Sequence, residues 1–287
     1  MTQNPAFTLG SLLSGIAAGI LAFAEPVLSL DVRVNPSNPQ LGDTISVFVE
    51  VDNPSDRPRV TMGNQSFPTF PLGDNLYRAF IPTTPLERPR TLNVRVSGDG
   101  ETQNLALGLR GRSFSTQRIT VRGGGSGATQ LELDRVAAFK QLVTSEKFWN
   151  GALLRPTSGR VSTVFGVRRY YNGVFAENYY HRGVDYAAGT GTPVVAPAAG
   201  RIALVGRESQ GFRVHGNTVG IDHGQGVLSI MLHLHRIDVR EGEMVRAGQR
   251  IGTVGSTGSS TGPHLHWGLY VNGVAIDPVP WRYEGLD

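Results

Sequence analysis

The sequence predicts a mainly β protein: an N-terminal β-sandwich, a short helical connector and a C-terminal antiparallel β-sheet domain. Three observations carry this. From Ser29 to Arg122 apolar residues alternate with polar ones, the period of a strand with one buried face. At 123–127 the run GGGSG breaks that pattern, and apolar residues then recur at helical spacing. From about Pro156 the chain is rich in glycine, with short β-branched runs bounded by glycines. A chain of 287 residues is long enough for two domains with cores of their own.

Residues 1–24, MTQNPAFTLGSLLSGIAAGILAFA, contain no charged side chain, and Ala22-Phe23-Ala24 is an A-x-A cleavage pattern. The segment reads as a secretory signal peptide or, if uncleaved, as a membrane anchor through residues 9–24. Either way the rest of the chain is expected to be exported: periplasmic, in the cell envelope, or secreted. Within residues 29–122, Leu30, Val32 and Val34 alternate with polar residues. Ile45, Val47, Val49 and Val51 do the same, as do Leu92, Val94 and Val96, then Ile119 and Val121. Turn-rich stretches such as NPSNPQLGD, DNPSDRP and SGDG separate the runs, which argues for a sandwich of Ig-like type. Residues 123–150 read as linker and helix. The helix is expected over Leu131 to Val143, with Leu133, Val136, Phe139, Leu142 and Val143 on its apolar face. Residues 151–287 form the last domain, where runs such as NTVGIDHG, VLSIMLHL and HLHWGLYVNG argue for a sheet with tight turns and no long helix.

Composition narrows the chemistry. The absence of cysteine excludes disulfide scaffolds, thiol catalysis and Cys-ligated metal, so any metal must be held by His, Asp or Glu. The basic excess is 27 − 23 = 4, with no Lys/Arg run, so nucleic acid is not an expected partner. All seven histidines lie after residue 180, and two pairs have H-x-H form, His233-Leu234-His235 and His264-Leu265-His266. On a regular strand such residues share a face about 6.6 Å apart. His181 and Asp185 would share a face too, but roughly 13 Å apart, too far for one ion. HRGVD must therefore bend, and Gly183 permits a bend without a Cβ penalty. Joined to the two H-x-H pairs in a Cys-free exported chain, this points to a metal site, and zinc accepts His and carboxylate ligands.

The stretches HRGVDYAAGTGTPVVAPAAGRI, NTVGIDHGQGVLSIMLHL and EGEMVRAGQRIGTVGSTGSSTGPHLHWGLYVNG follow in order over about residues 156–280. They resemble the lysostaphin-type (duplicated hybrid motif) zinc metalloendopeptidases of bacterial cell walls. Residues 29–122 are similar to Ig-like modules that precede such domains. The resemblance implies one Zn2+ per chain, held by His181, Asp185 and His266. It implies that His233 and His264 line the water or the scissile carbonyl as catalytic residues. Met231 stands where the family often has an aromatic residue, a change expected to affect packing. A tyrosine that steadies the oxyanion is also implied, with Tyr170, Tyr171, Tyr179 and Tyr180 as candidates. His215, His223 and His235 are expected to be structural or surface residues. The implied partners are peptidoglycan peptides, and the implied reaction is hydrolysis of cross-links or stem peptides. Glycyl bridges and D-Ala–diaminopimelate cross-links both suit the class; no wall-targeting tail follows Trp281, which favours the direct cross-link. Arg168, Arg169 and Arg182 are candidates to pair with substrate carboxylates. A free histidine titrates near 6.5, so a histidine base predicts an acid limb in activity at roughly pH 6–7.

Three other readings compete. The alternative is a non-hydrolytic peptidoglycan-binding or hydrolase-activating module; the presence of every expected ligand favours an enzyme. A structural metal protein would hold zinc tightly, cleave nothing and unfold on chelation. A biotinyl or lipoyl carrier needs a lysine on a hairpin tip, and the two lysines of the chain, Lys140 and Lys147, lie upstream in the helical segment.

Overall fold

A computed structural model describes Met1 and residues 30–53, 55–120 and 127–283. All but Met1 of the expected signal or anchor segment, Val121 and all but Gly127 of the GGGSG run lie outside the described residues. The fold is mainly β with antiparallel sheets. No helix among the described residues is long and apolar enough to cross a membrane.

The N-terminal part consists of two four-stranded sheets. One has the order Asp31–Asn35, Thr44–Glu50, Leu76–Pro82, Thr69–Pro71; the other runs Gln65–Phe67, Arg59–Met62, Arg90–Gly98, Glu101–Leu109. The period-two pattern explains the pairing. Ile45, Val47, Val49 and Val51 point inward from the first sheet, and Val60, Leu92, Val94 and Val96 from the second. All are fully buried and share one core, and each such side chain stabilises the fold by about 1.5–3 kcal/mol.

The strand predicted around Ile119 forms, but not in this sandwich. Thr116–Ile119 pairs in parallel with Arg168–Tyr171, which continues into Val174–Phe175. The chain is drawn across by Phe114, whose ring occupies the space over Gly166, and by Arg112, which donates to the buried Asp277 carboxylate at 2.7 Å. Alternation specifies a strand with one covered face; it does not name the neighbour. The sandwich also sits directly on the C-terminal part. Phe80 belongs to the C-terminal core, with its ring 5.5 Å from that of Trp281. Arg78, fully buried, donates to Gln225 Oε1 at 2.9 Å, and Asn272 Nδ2 donates to the Phe80 carbonyl at 2.9 Å.

The C-terminal part is built on a ten-stranded sheet. Its main order is Arg160–Thr163, Val184–Ala187, His264–Val271, Val227–Ile237, Asn217–Gly224, Gly200–Gly206, Met244–Val245. Arg250–Val254 branches from Val227–Ile237 and carries Pro193–Val195. The connector helix spans Gln130–Lys140, capped by Thr129, whose hydroxyl accepts the Glu132 N–H at 3.1 Å. Val136 and Phe139 are buried as the spacing predicts, whereas Leu131, Leu133 and Val143 are exposed. An acid, Glu132, is fully buried instead. Helical spacing finds the helix and two of its three buried residues; the third is the acid Glu132.

Candidate metal centre

The strand register assembles the centre. Val184–Ala187 pairs antiparallel with His264–Val271, so that Asp185 lies opposite His266 and Ala187 opposite His264. Residues so paired have Cβ atoms about 4.5–5.5 Å apart, close enough to share one ion. His181 comes just before this pairing. Its N–H donates to the Val167 carbonyl and its carbonyl accepts from Gly166, which turns the ring back over the strand. As a result His181 Nε2 lies 3.0 Å from Asp185 Oδ1, His266 Nδ1 lies 2.8 Å from the same oxygen, and the two nitrogens are 3.1 Å apart. Among the described residues this is the one cluster of three side chains able to hold a metal ion.

The expected bend in HRGVD is present, but Gly183 serves it in another way. Its backbone is not left-handed. A Cβ at this position would collide with the Trp267 carbonyl oxygen and lie 2.8 Å from His266 Nε2. Glycine is needed because two strands approach closely beneath the cluster, not because φ is unusual.

The backbone also sets the tautomers. His181 Nδ1 is 2.8 Å from the Val164 carbonyl, His233 Nδ1 is 2.9 Å from that of Thr257, and His264 Nδ1 is 2.8 Å from that of Gly262. A carbonyl only accepts, so each Nδ1 carries a proton, and in the neutral ring Nε2 keeps its lone pair. With His181 neutral, its Nε2 and Asp185 Oδ1 are two acceptors at contact distance, an arrangement that a cation between them satisfies. Two imidazole nitrogens and one carboxylate, with no thiolate, fit a divalent ion such as zinc. Burial acts to raise the Asp185 pKa, but the imidazoles of His181 and His266 outweigh it and hold the carboxyl well below the usual range. Burial pushes His266 down to about 4 against the pull of Asp185. Carboxylate and neutral imidazole are the forms that bind metal.

His233 reaches the cluster by an irregularity. The Val227–Ile237 strand skips register against Asn217–Gly224 between Met231 and Leu234, and His233 has φ of 63°. Such a bulge re-aims a side chain. The His233 ring lies 4.8 Å from that of His264 and 6.5 Å from that of His266. Burial, then the neighbouring His266 and His264, lowers its pKa to about 3. The H-x-H rule consequently holds for His264 and His266, which lie on a regular ladder, and fails for His233 and His235, where the bulge intervenes. His235 is exposed.

Several of the remaining predicted residues pack on one another. Tyr180 donates its hydroxyl to the Ala275 carbonyl at 3.0 Å inside the core. Tyr179 accepts from Arg169 at 2.7 Å, and burial raises its pKa to about 12. Tyr171 packs edge-on against Tyr179, and Tyr170 lies against Phe175. Arg168 is taken up by the carbonyls of Tyr179 and Glu177, and Arg182 lies over the rings of Tyr179 and Tyr180. Met231 is fully buried opposite Trp267. His215 pairs with the buried Glu132, its Nδ1 2.6 Å from Oε1. Sequence reasoning missed Glu132; the available signal was the capping-box spacing T-x-x-E at Thr129-Gln130-Leu131-Glu132.

Residues 179–278 match the family model described as Peptidase family M23, and all five residues His181, Asp185, His233, His264 and His266 fall in that segment. A Pseudomonas aeruginosa crystal structure described as a peptidase M23 covers 86% of this chain and 95% of its own, at 25% identity and a TM-score of 0.62. A Haemophilus influenzae protein named an uncharacterized metalloprotease is 31% identical over 192 residues, 67% of this chain and 34% of that protein. A DD-carboxypeptidase/endopeptidase of Neisseria meningitidis is 44% identical over 120 residues, 42% of this chain and 26% of its own length. The chain thus spans about a quarter to a third of the length of these curated relatives.

Proposed function

We propose that the chain is a zinc-dependent endopeptidase that hydrolyses peptide cross-links or stem peptides of peptidoglycan. The observation that supports this most is the convergence of His181 Nε2, Asp185 Oδ1 and His266 Nδ1 within 3.1 Å of one another, beside two further imidazoles. In this reading His181, Asp185 and His266 hold one zinc ion. When bound, the ion supplies Lewis-acid polarisation of a peptide carbonyl and lowers the pKa of water toward 7.

The residues of the chain supply the proton traffic. His233 is neutral at pH 7, with Nδ1–H tied to Thr257 and its Nε2 lone pair free to accept a proton from the attacking water. It later returns that proton to the leaving amine. His264 is held in the same tautomer by Gly262. In that form it offers a lone pair, so it steadies a developing oxyanion only after taking up a proton. The name of the Neisseria relative, a DD-carboxypeptidase/endopeptidase, adds support for the direct cross-link as substrate. The test uses purified protein and isolated peptidoglycan. Soluble muropeptides with new amino ends should appear, and a chelator should stop their release. Intact peptidoglycan after incubation with zinc-loaded protein would refute the proposal.

A further inference from the structure

Glu132 lies on the connector helix, outside the segment 179–278 that matches the peptidase family. Its carboxylate is fully buried. In a capping box the acid at this position would turn back to the N-cap backbone. Here it turns outward to another part of the chain. Oε2 accepts the N–H of Arg213 at 3.0 Å and of Val214 at 3.2 Å, while Oε1 accepts the N–H of His215 at 2.6 Å and its Nδ1 at 2.6 Å. Thr129 adds a second anchor, donating its hydroxyl to the Gly211 carbonyl at 2.8 Å. A buried carboxylate with several N–H donors is a strong, directional clamp. The helix N-terminus therefore fixes the backbone of residues 211–215.

That backbone holds His233 in two ways. Directly, the His215 carbonyl accepts the His233 N–H at 3.0 Å. Indirectly, the 211–217 segment holds the loop that carries Thr257. The Val214 carbonyl accepts from Ser259 at 2.9 Å, and the Asn217 N–H donates to Thr257 Oγ1 at 2.9 Å. Gly216 and Gly258 let the two loops touch, since a Cβ on either would strike the other loop's backbone. Thr257 in turn accepts the His233 Nδ1–H. His233 needs such support, because φ of 63° is an uncommon conformation for a residue with a side chain and persists only where its surroundings enforce it.

The structure assigns Glu132 as a positioning residue for His233: its buried carboxylate locks the 211–215 backbone, and through His215 and Thr257 the tautomer and orientation of that imidazole. The role in turnover rests on the function proposed above; the role in orientation does not. The test compares Glu132→Gln, Glu132→Asp and Val136→Ala in the full chain. Val136→Ala disturbs the packing of the same helix and leaves the carboxylate in place. With 15N-labelled histidine, the His233 Nδ1 proton should give one sharp resonance in wild type and in Val136→Ala, and should broaden or split in Glu132→Gln. On peptidoglycan, Glu132→Gln should lose about tenfold or more in kcat with KM within about twofold and zinc content unchanged, the scale expected for a misplaced catalytic group. Glu132→Asp should recover part of the loss. An unaltered His233 resonance in Glu132→Gln would overturn the assignment, as would equal effects from Val136→Ala. Should wild type cleave nothing, the resonance alone decides on Glu132 and the proposed activity fails separately.

Discussion

His223 gives the chain a measurable acid sensitivity away from the metal centre. The side chain is fully buried. Its Nδ1–H donates to the Ala199 carbonyl at 2.8 Å, and its Nε2 accepts from the Ser229 hydroxyl at 2.9 Å, which itself accepts from Trp267 Nε1 at 3.1 Å. Burial holds its pKa at about 4, against an ordinary 6.5. The sign follows. Between those values the unfolded chain binds a proton that the folded chain refuses, so stability falls as pH drops through 6.5 and levels off below about 4. At pH 5.0 the unfolded imidazole is almost wholly protonated and the folded one almost wholly neutral, which costs about 2 kcal/mol relative to pH 7.5. The assay is urea unfolding of wild type and His223→Gln at both pH values, with zinc held constant. His233 and His266 titrate in both proteins and cancel in the comparison. Wild type should lose about 2 kcal/mol more than the variant. Equal losses would show that His223 is already charged in the fold, or that it does not resist protonation.

Three further outcomes are expected. His181→Ala and Asp185→Ala should each lose zinc and activity together by metal analysis and muropeptide release; full zinc in both variants would break the ligand assignment. His233→Ala and His264→Ala should keep most zinc yet lose turnover by about 10²-fold or more, whereas loss of metal in His264→Ala but not in His266→Ala would mean the two members of the pair exchange roles. The pH–rate profile should hold its activity well below the pH 6–7 limb that an ordinary histidine predicts, because His233 stays neutral down to about 3 and a nearby cation would lower it further; an acid limb at pH 6–7 with zinc still bound would exclude His233 as the base.

Much of this architecture was legible in the residues. Alternating apolar residues at 45–51 and 92–96 specify strands with one buried face, and those faces meet in one core. Spacing alone left both H-x-H pairs open as partners of HRGVD; the family resemblance singled out His266, and the antiparallel register places it opposite Asp185. The strand at 116–119 was legible as a strand but not as a neighbour of Arg168–Tyr171, since pairing across 52 positions, as between Arg168 and Thr116, leaves no local trace.

Spacing alone does not give the placement of His233, which the family resemblance supplied. A period-two argument puts His233 and His235 on one face, and only a bulge with positive φ sends one into the centre and the other to solvent. Nothing in VLSIMLHL marks that bulge, because its cause lies elsewhere. The His215 carbonyl and the Thr257 carbonyl must stand where they do, and they stand there because an acid about a hundred residues upstream is buried against the 213–215 backbone. The connector helix looked like packing alone, since a carboxylate on an apolar helical face registers as a break in the pattern. A buried acid held by four donors contributes little hydrophobic stabilisation of its own. It is retained at a cost in desolvation, and that cost is intelligible if its return is the geometry of one imidazole.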